Sequence, residues 1–440
     1  MLFVKGLGRP TRVVRNALAL MFSTGATAAL GVVFWGFAAH LFTTSAVGRG
    51  SAEIASMMLI AQFAQLNLAN ALLRFLPRAG TRTRSVILLG YLACLVLSLI
   101  AAIVFLVTPL SQSVIVGGAS FAVLYTVAVP LWTIFVVQDG VLTALRETHW
   151  VPVENVSFGL LKLLLLPVFV VIAPTHGVFL AWTLPVVLAV TGVTTYLFVR
   201  VLPARMEAAR RQTHERIALP AGRQIVSFVS AEYLTSLVSV AATFLLPIIV
   251  IKQLGADANA HFYVPWLVGI AFHNLLLNIS ASFVVEASHD EEPFAELFWR
   301  SVKLMMGITA FALIATLILG PFALHLLSGE YANAGTTLVR LIGLSFPFTF
   351  LTTLWTSALW LRRRLWGILW YQFAQTAILV GLTYALLGPL GIDAPGVANL
   401  VSVGVVGTLS IPALIGWYRR ERGEPTHGAP VLTATPPPAG

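Results

Sequence analysis

The sequence predicts an all-α integral membrane protein with about twelve transmembrane helices. Three observations carry this. Of 440 residues, 58% are hydrophobic and only 10% charged, and the mean hydropathy is +0.89, more apolar surface than a soluble core can hide. The apolar residues gather into runs of about 20, the length that crosses a bilayer. The basic residues occupy every second gap between those runs, which is how the positive-inside rule writes a topology into a chain.

In order along the chain, Lys5, Arg9, Arg12 and Arg15 precede a first run at 17–42. That run exceeds the apolar core of about 7 to 15 residues of a cleaved signal peptide, so it is expected to remain as a span. A second run, 53–73, is followed by Arg74, Arg78, Arg82 and Arg84. Runs three and four, 86–108 and 114–138, meet across Pro109–Gln112 and lead to Arg146. Runs five and six, 151–173 and 178–200, meet across Pro174–Gly177. The longest polar stretch follows, 202–224, a basic and helix-compatible segment closed by Pro220 and Gly222. Runs seven and eight, 225–251 and 262–286, lead to a capping-box pattern, Ser288 with Glu291, and an interfacial helix carrying Phe294, Leu297, Phe298 and Trp299. Arg300 and Lys303 come next, then runs nine and ten, 302–327 and 336–360, then Arg362 to Arg364. The last two runs, 366–388 and 396–418, precede Arg419, Arg420 and Arg422, and the Pro-rich tail from Glu424 is predicted disordered.

Of 27 basic residues, 23 fall in these alternate gaps; Arg49, Lys252 and Arg340 fall in the others, and Lys162 lies inside a run. The expected organisation is an N-terminal bundle at 1–201, a cytoplasmic linker at 202–224, a C-terminal bundle at 225–418 and a tail at 419–440, with both termini cytoplasmic. The halves echo each other: Gly48 and Gly255 stand at the outer ends of corresponding spans, and Pro130 and Pro347 precede ALRETHW and LWLRRRLW at similar distances. Such landmarks suit repeats related by an axis along the membrane normal.

The net charge of +10 reads as topology signal and attraction to anionic lipids, not as a nucleic-acid interface. A single cysteine, Cys94, excludes an intramolecular disulfide and a Cys-based metal site. There is no P-loop, no HExxH and no metal-spaced Cys/His cluster, so no cofactor and no enzymatic activity are expected. Outer gaps this short leave no room for the extended loop that a polytopic glycosyltransferase or polymer ligase would need.

Charges within the bilayer carry the functional expectations, since each costs about 2.5 to 3.5 kcal/mol on insertion scales and normally faces a protein interior or a wet cavity. Lys162 lies near the midplane, with Asn155 on its face and Pro167 beyond. In the second run, Glu53, Asn67, Asn70 and Arg74 share one face if the helix is continuous. In the seventh, Glu232 shares a face with Thr235, Ser236, Ser239 and Thr243. Glu232 and Glu53 are the candidates for ion coupling. Asp139 and Glu154 read as interfacial, and His273 and Asn274 as structural hydrogen-bonding groups. Arg340 and Arg49 run against the topology; with Lys162, Arg74, Asn67 and Asn70 they would line a cationic path for an anionic head group.

The stretches TSAVGRGSAEIASMMLIAQFAQLNLANALLRFLPRAG and LLSGEYANAGTTLVRLIGLSFPFTFLTTLWTSALWLRRR resemble polysaccharide-export members of the multidrug/oligosaccharidyl-lipid/polysaccharide exporter superfamily, the O-antigen and teichoic-acid type flippases. The resemblance covers about residues 12 to 420. It implies two six-helix bundles around a cavity that flips an undecaprenyl-diphosphate-linked saccharide by alternating access, powered by an ion gradient or the membrane potential. Implied partners are the lipid-linked saccharide, membrane lipids and other polysaccharide-assembly proteins. A drug/cation antiporter of the same superfamily is the alternative and should favour acidic cavity residues; a non-transporting scaffold is a second.

Overall fold

A computed structural model describes residues 27, 29–211, 222–287, 293–362 and 364–421, with side chains at 78, 208–232, 285 and 365 outside the description. The Ser288 cap, the tail from Glu424 and the Glu232 side chain therefore lie outside the described residues. The elements are helices: α1 (Ala29–Leu41), α2 (Thr44–Ala64), α3 (Leu68–Phe75), α4 (Thr83–Leu106), α5 (Ser111–Val114), α6 (Gly118–Ala144), α7 (Trp150–Ile172), α8 (Gly177–Tyr196), α9 (Leu202–Arg211), α10 (Gly222–Leu254), α11 (Ala256–Ala287), α12 (Phe294–Leu327), α13 (Gly329–Leu361), α14 (Leu365–Leu390) and α15 (Ala394–Glu421). Helices satisfy every backbone group internally, which the lipid requires.

Among the described residues, nine helical runs are long and apolar enough to cross a membrane; α2 with α3 makes a bent tenth, and the run Trp366–Glu421 holds both α14 and α15. With α1, whose preceding residues lie outside the description, these match the twelve expected spans. The outward faces are what lipid demands: Leu89, Leu92 and Ile100 on α4, Leu164 and Val171 on α7, and Phe311 and Ile318 on α12 are all exposed.

Several boundaries differ from expectation for physical reasons. The second span begins at Thr44, nine residues early, because its polar residues find partners inside the protein. Thr43 caps it by accepting from the Ala46 N–H, the Ser51 hydroxyl donates to the Gly48 carbonyl at 2.9 Å, and Glu53 meets His176. The same span breaks at Gln65–Asn67, where Leu66 and Asn67 take left-handed backbone (φ 49° and 55°) and the axis bends by 44°. Asn tolerates that conformation better than most residues. The break takes Glu53 off the face expected for it with Asn67, Asn70 and Arg74, and leaves those three together on α3. The interfacial helix expected before the ninth span is simply the start of α12, continuous to Leu327.

Helices α4, α6 and α8 pack with the bent pair α2–α3, α7 packs on α8 and α6, and α10 to α15 pack with one another; the two sets meet chiefly where α2 lies along α10 and α11. Between lipid-bathed helices, close approach rests on small residues, since lipid tails are as apolar as leucine. A Cβ at Gly140 of α6 would stand 2.6 Å from the Ala69 carbonyl oxygen of α3. At Gly48 of α2 it would overlap the carbonyl oxygen of Ala256 at the start of α11. The seam there is sealed by fully buried Asn259, whose amide donates to the Gly48 carbonyl at 2.7 Å and to Ser51 Oγ at 3.0 Å. Trp35 and Tyr263 meet edge-on nearby, with ring centroids 4.7 Å apart. A small apolar cluster of Ala52, Val114, Ile248 and Ile251 closes the same end.

Candidate functional site

Where the halves are not joined, a cavity of about 920 Å³ opens between α3, α6 and α7 on one side and α11 and α12 on the other. It lies toward the helix ends that carry Arg74, Arg146 and Arg300, and so opens on the arginine-rich side, opposite the Gly48–Asn259 seam. Its far wall is built by the inner half of α11, where Asn274, Asn278, Ser282 and Glu286 recur every four residues and so share one face. Facing them are Asn70 of α3, Asp139 and Thr143 of α6, and Asn155 of α7. The Asn155 amide donates to both Asp139 carboxylate oxygens at 3.3 Å and to the Val151 carbonyl at 3.0 Å, which holds both side chains at the wall. At the rim, Arg300 pairs with Glu286 at 2.8 Å. Phe283 is the single aromatic side chain among the lining residues.

The predicted site residues do not all converge on this cavity. Asn70 lines it, and its amide donates to Asn67 Oδ1 at 2.9 Å. Asn67 itself is buried at the α2–α3 break. Arg74 ends α3 exposed, its guanidinium 5.7 Å from the centre of the Phe75 ring. Arg49 is half-buried near the seam, within 3.5 Å of Ser45 Oγ, and Arg340 is exposed on α13. Glu53 is fully buried toward the seam end: its Oε1 lies 3.0 Å from His176 Nδ1, its Oε2 has no partner among the described residues, and the His176 ring stacks on Phe121.

Lys162 stands apart from the cavity too. It is 2% exposed, and its ammonium lies 3.7 Å from the centre of the Trp182 ring, 4.8 Å from Phe158 and 5.0 Å from Phe34. No described carboxylate pairs with it. Seven residues separate it from Asn155, about 10 Å of helix rise. One face of α7 therefore meets the cavity at its inner end and an aromatic cage of α1 and α8 further out.

Two expectations are corrected here. Asp139 and Glu154 are not interfacial: Asp139 lines the cavity, and Glu154 is 5% exposed behind it. Asn274, expected only to hold structure, lines the cavity as well. The period-four polar stripe from Asn274 to Glu286 is the sequence signal for this wall, visible only when the four residues are taken together.

No protein-family model matches the chain, and no curated protein matches it in sequence. Solved structures do match in fold. An inward-facing multidrug-resistance MATE family transporter of the MOP superfamily superposes with a TM-score of 0.63 at 16% identity, over 90% of this chain and 94% of that one. An outward-facing MATE family transporter gives 0.58 at 17% identity, over 93% and 95%. A MOP superfamily transporter from Pyrococcus furiosus, described by a reversed binding-pocket polarity that suggests a different function, gives 0.58 at 15% identity, over 93% and 95%. The chain is thus an all-α, multi-pass membrane protein with the fold seen in MATE transporters of the MOP superfamily.

Proposed function

We propose that this protein is a membrane transporter that flips a polyprenyl-diphosphate-linked saccharide across the bacterial plasma membrane by alternating access. Residues 1–201 and 225–418 would act as two bundles hinged at the Gly48–Asn259 seam, with 202–224 as a cytoplasmic linker and 419–440 as a cytoplasmic tail. The cavity then faces the cytoplasm, where such lipids are assembled.

One observation carries the substrate reading: the polar groups of the wall are mostly amides and hydroxyls (Asn70, Asn155, Asn274, Asn278, Ser282), set among apolar side chains such as Leu73, Val136, Leu275 and Ile279 with one aromatic ring. Amides both donate and accept, which suits vicinal sugar hydroxyls. The rim arginine Arg300 and the flanking cluster from Arg74 to Arg84 supply charge for a diphosphate. Arg49, beside the seam, would meet substrate once that end opens, and Arg340 on the outer half of α13 is proposed for the same stage. The drug/cation antiporter reading draws on the charged lining, two carboxylates (Asp139 and Glu286) against one arginine (Arg300), with no cationic partner for Asp139 among the described residues.

Binding to the purified protein separates the two. The lipid-linked saccharide is expected to bind, measured by native mass spectrometry, and Asn155→Leu combined with Asn278→Leu should weaken it at least about tenfold, from two lost hydrogen bonds of about 1 kcal/mol each. Binding of tetraphenylphosphonium, with no binding of the saccharide lipid, would replace this reading by the antiporter.

A further inference from the structure

We propose that Glu154, one layer behind the cavity wall, is where this protein carries a proton, with Asp139 as its point of exchange with cavity water. As a statement about coupling, this rests on the transport reading above; as a statement about a proton site, it does not. Glu154 adjoins cavity-lining Asn155 on α7 and is almost fully buried. Neither of its carboxylate oxygens has a hydrogen-bond partner among the described residues.

The surroundings come from separate helices. On α6, the Gln138 amide donates to Thr194 Oγ1 at 2.9 Å and to the Val190 carbonyl at 3.2 Å on α8, so its fully buried Oε1 is left without a donor. On α4, the buried Tyr91 hydroxyl lies close to both Gln138 and Glu154, and its one O–H can serve a single acceptor there. The other titratable groups facing this pocket are Cys94 on α4 and Asp139 on α6. Toward the basic end, Glu147 is engaged by Tyr196 of α8 at 3.2 Å and lies near His149. Lys162 is two turns further along α7, held in its rings. No described lysine or arginine pairs with Glu154 or Asp139.

An ionised Glu154 would be an uncompensated buried charge with more acceptors than donors around it, a costly arrangement for a carboxylate. A proton removes the charge and supplies an O–H donor to a pocket with a surplus of acceptors. Asp139, at the wall and tethered by Asn155, connects the pocket to the cavity. Opening the seam and closing the cavity would take that connection away, which is what coupling needs.

Dicyclohexylcarbodiimide, which reacts with protonated carboxyls in apolar surroundings, tests the site on the purified full chain without any substrate. Peptide mass spectrometry should find Glu154 labelled, with labelling falling at least about tenfold between mildly acidic and strongly alkaline buffer, equally in sodium and potassium salts. Absence of label on Glu154, or label that sodium blocks, overturns the proposal. In liposomes, a pH gradient should bias translocation by the parent protein and not by the isosteric Glu154→Gln; equal bias in both also overturns it. Should that variant fail to fold, the labelling of the parent decides alone. Labelled Glu154 in a protein that translocates no lipid-linked saccharide supports the proton site while sinking the substrate reading.

Discussion

Gly48→Val is expected to pry the two halves apart at their closed end. No side-chain atom can be accommodated there: a Cβ would overlap the Ala256 carbonyl oxygen and stand 2.7 Å from its carbon and 2.8 Å from the Ala260 nitrogen. These are backbone atoms on a helix and cannot rotate away. Relief requires α2 and α11 to separate, which strips Asn259 of its bonds to Gly48 and Ser51 and leaves a buried amide unpaired. Overpacking costs up to about 3 kcal/mol, enough to shift a two-state equilibrium by about a hundredfold. Spin labels at Ser45 and Asp257, on opposite sides of the seam, read the result directly. The parent should give one short distance, and Gly48→Val a longer and broader one with a lowered melting temperature. An unchanged distance and melting temperature would mean that the seam is not what holds this end closed.

Replacement of Lys162 should produce opposite results depending on charge. Its ammonium is desolvated against three ring faces, and each such contact is worth about 2 kcal/mol when water is excluded, which offsets much of the cost of burial. Lys162→Met keeps the volume and removes both terms, so stability should move by less than about 1.5 kcal/mol. Lys162→Glu sets an anion against the negative faces of Trp182, Phe158 and Phe34. A buried unpaired charge of this kind belongs to the class of changes costing more than about 4 kcal/mol, and little folded protein should be recovered. Comparable folded yields for the two variants would show that the cage is wet and the lysine reaches solvent. Loss of saccharide-lipid binding in a well-folded Lys162→Met would instead place the lysine in the transport path.

The contrast between these residues shows what was readable in the sequence. Span number and class were legible because lipid imposes one period and one length on every element, and the alternation of arginines added their order. The break at Gln65–Asn67 was not, since it depends on Leu66 and Asn67 adopting left-handed backbone, whereas one face from Glu53 to Arg74 requires a straight helix. The burial of Lys162 is legible from its place within an apolar run, and Phe158 stands one turn before it on α7, but Phe34 and Trp182 come from α1 and α8 and cannot be assembled from spacing. Asp139 and Glu154 looked interfacial because they stand near span ends. A cavity open at that end converts depth near the surface into exposure to substrate, which depends on how the two halves are tilted. The Asn274 to Glu286 stripe was legible within one helix, because its period of four is a purely local signal.

Translocation itself is the most direct test of the account. A fluorescent polyprenyl-diphosphate saccharide is placed in both leaflets of liposomes holding the purified protein, and a membrane-impermeant reductant bleaches whatever reaches the outer leaflet. Bleaching should proceed well past the outer-leaflet fraction in the parent protein, and at least about tenfold more slowly beyond it in the Asn155→Leu, Asn278→Leu variant at lipid concentrations below saturation. Bleaching that stops at the outer-leaflet fraction in the parent, in liposomes where the same protein takes up a lipophilic cation, would contradict the account.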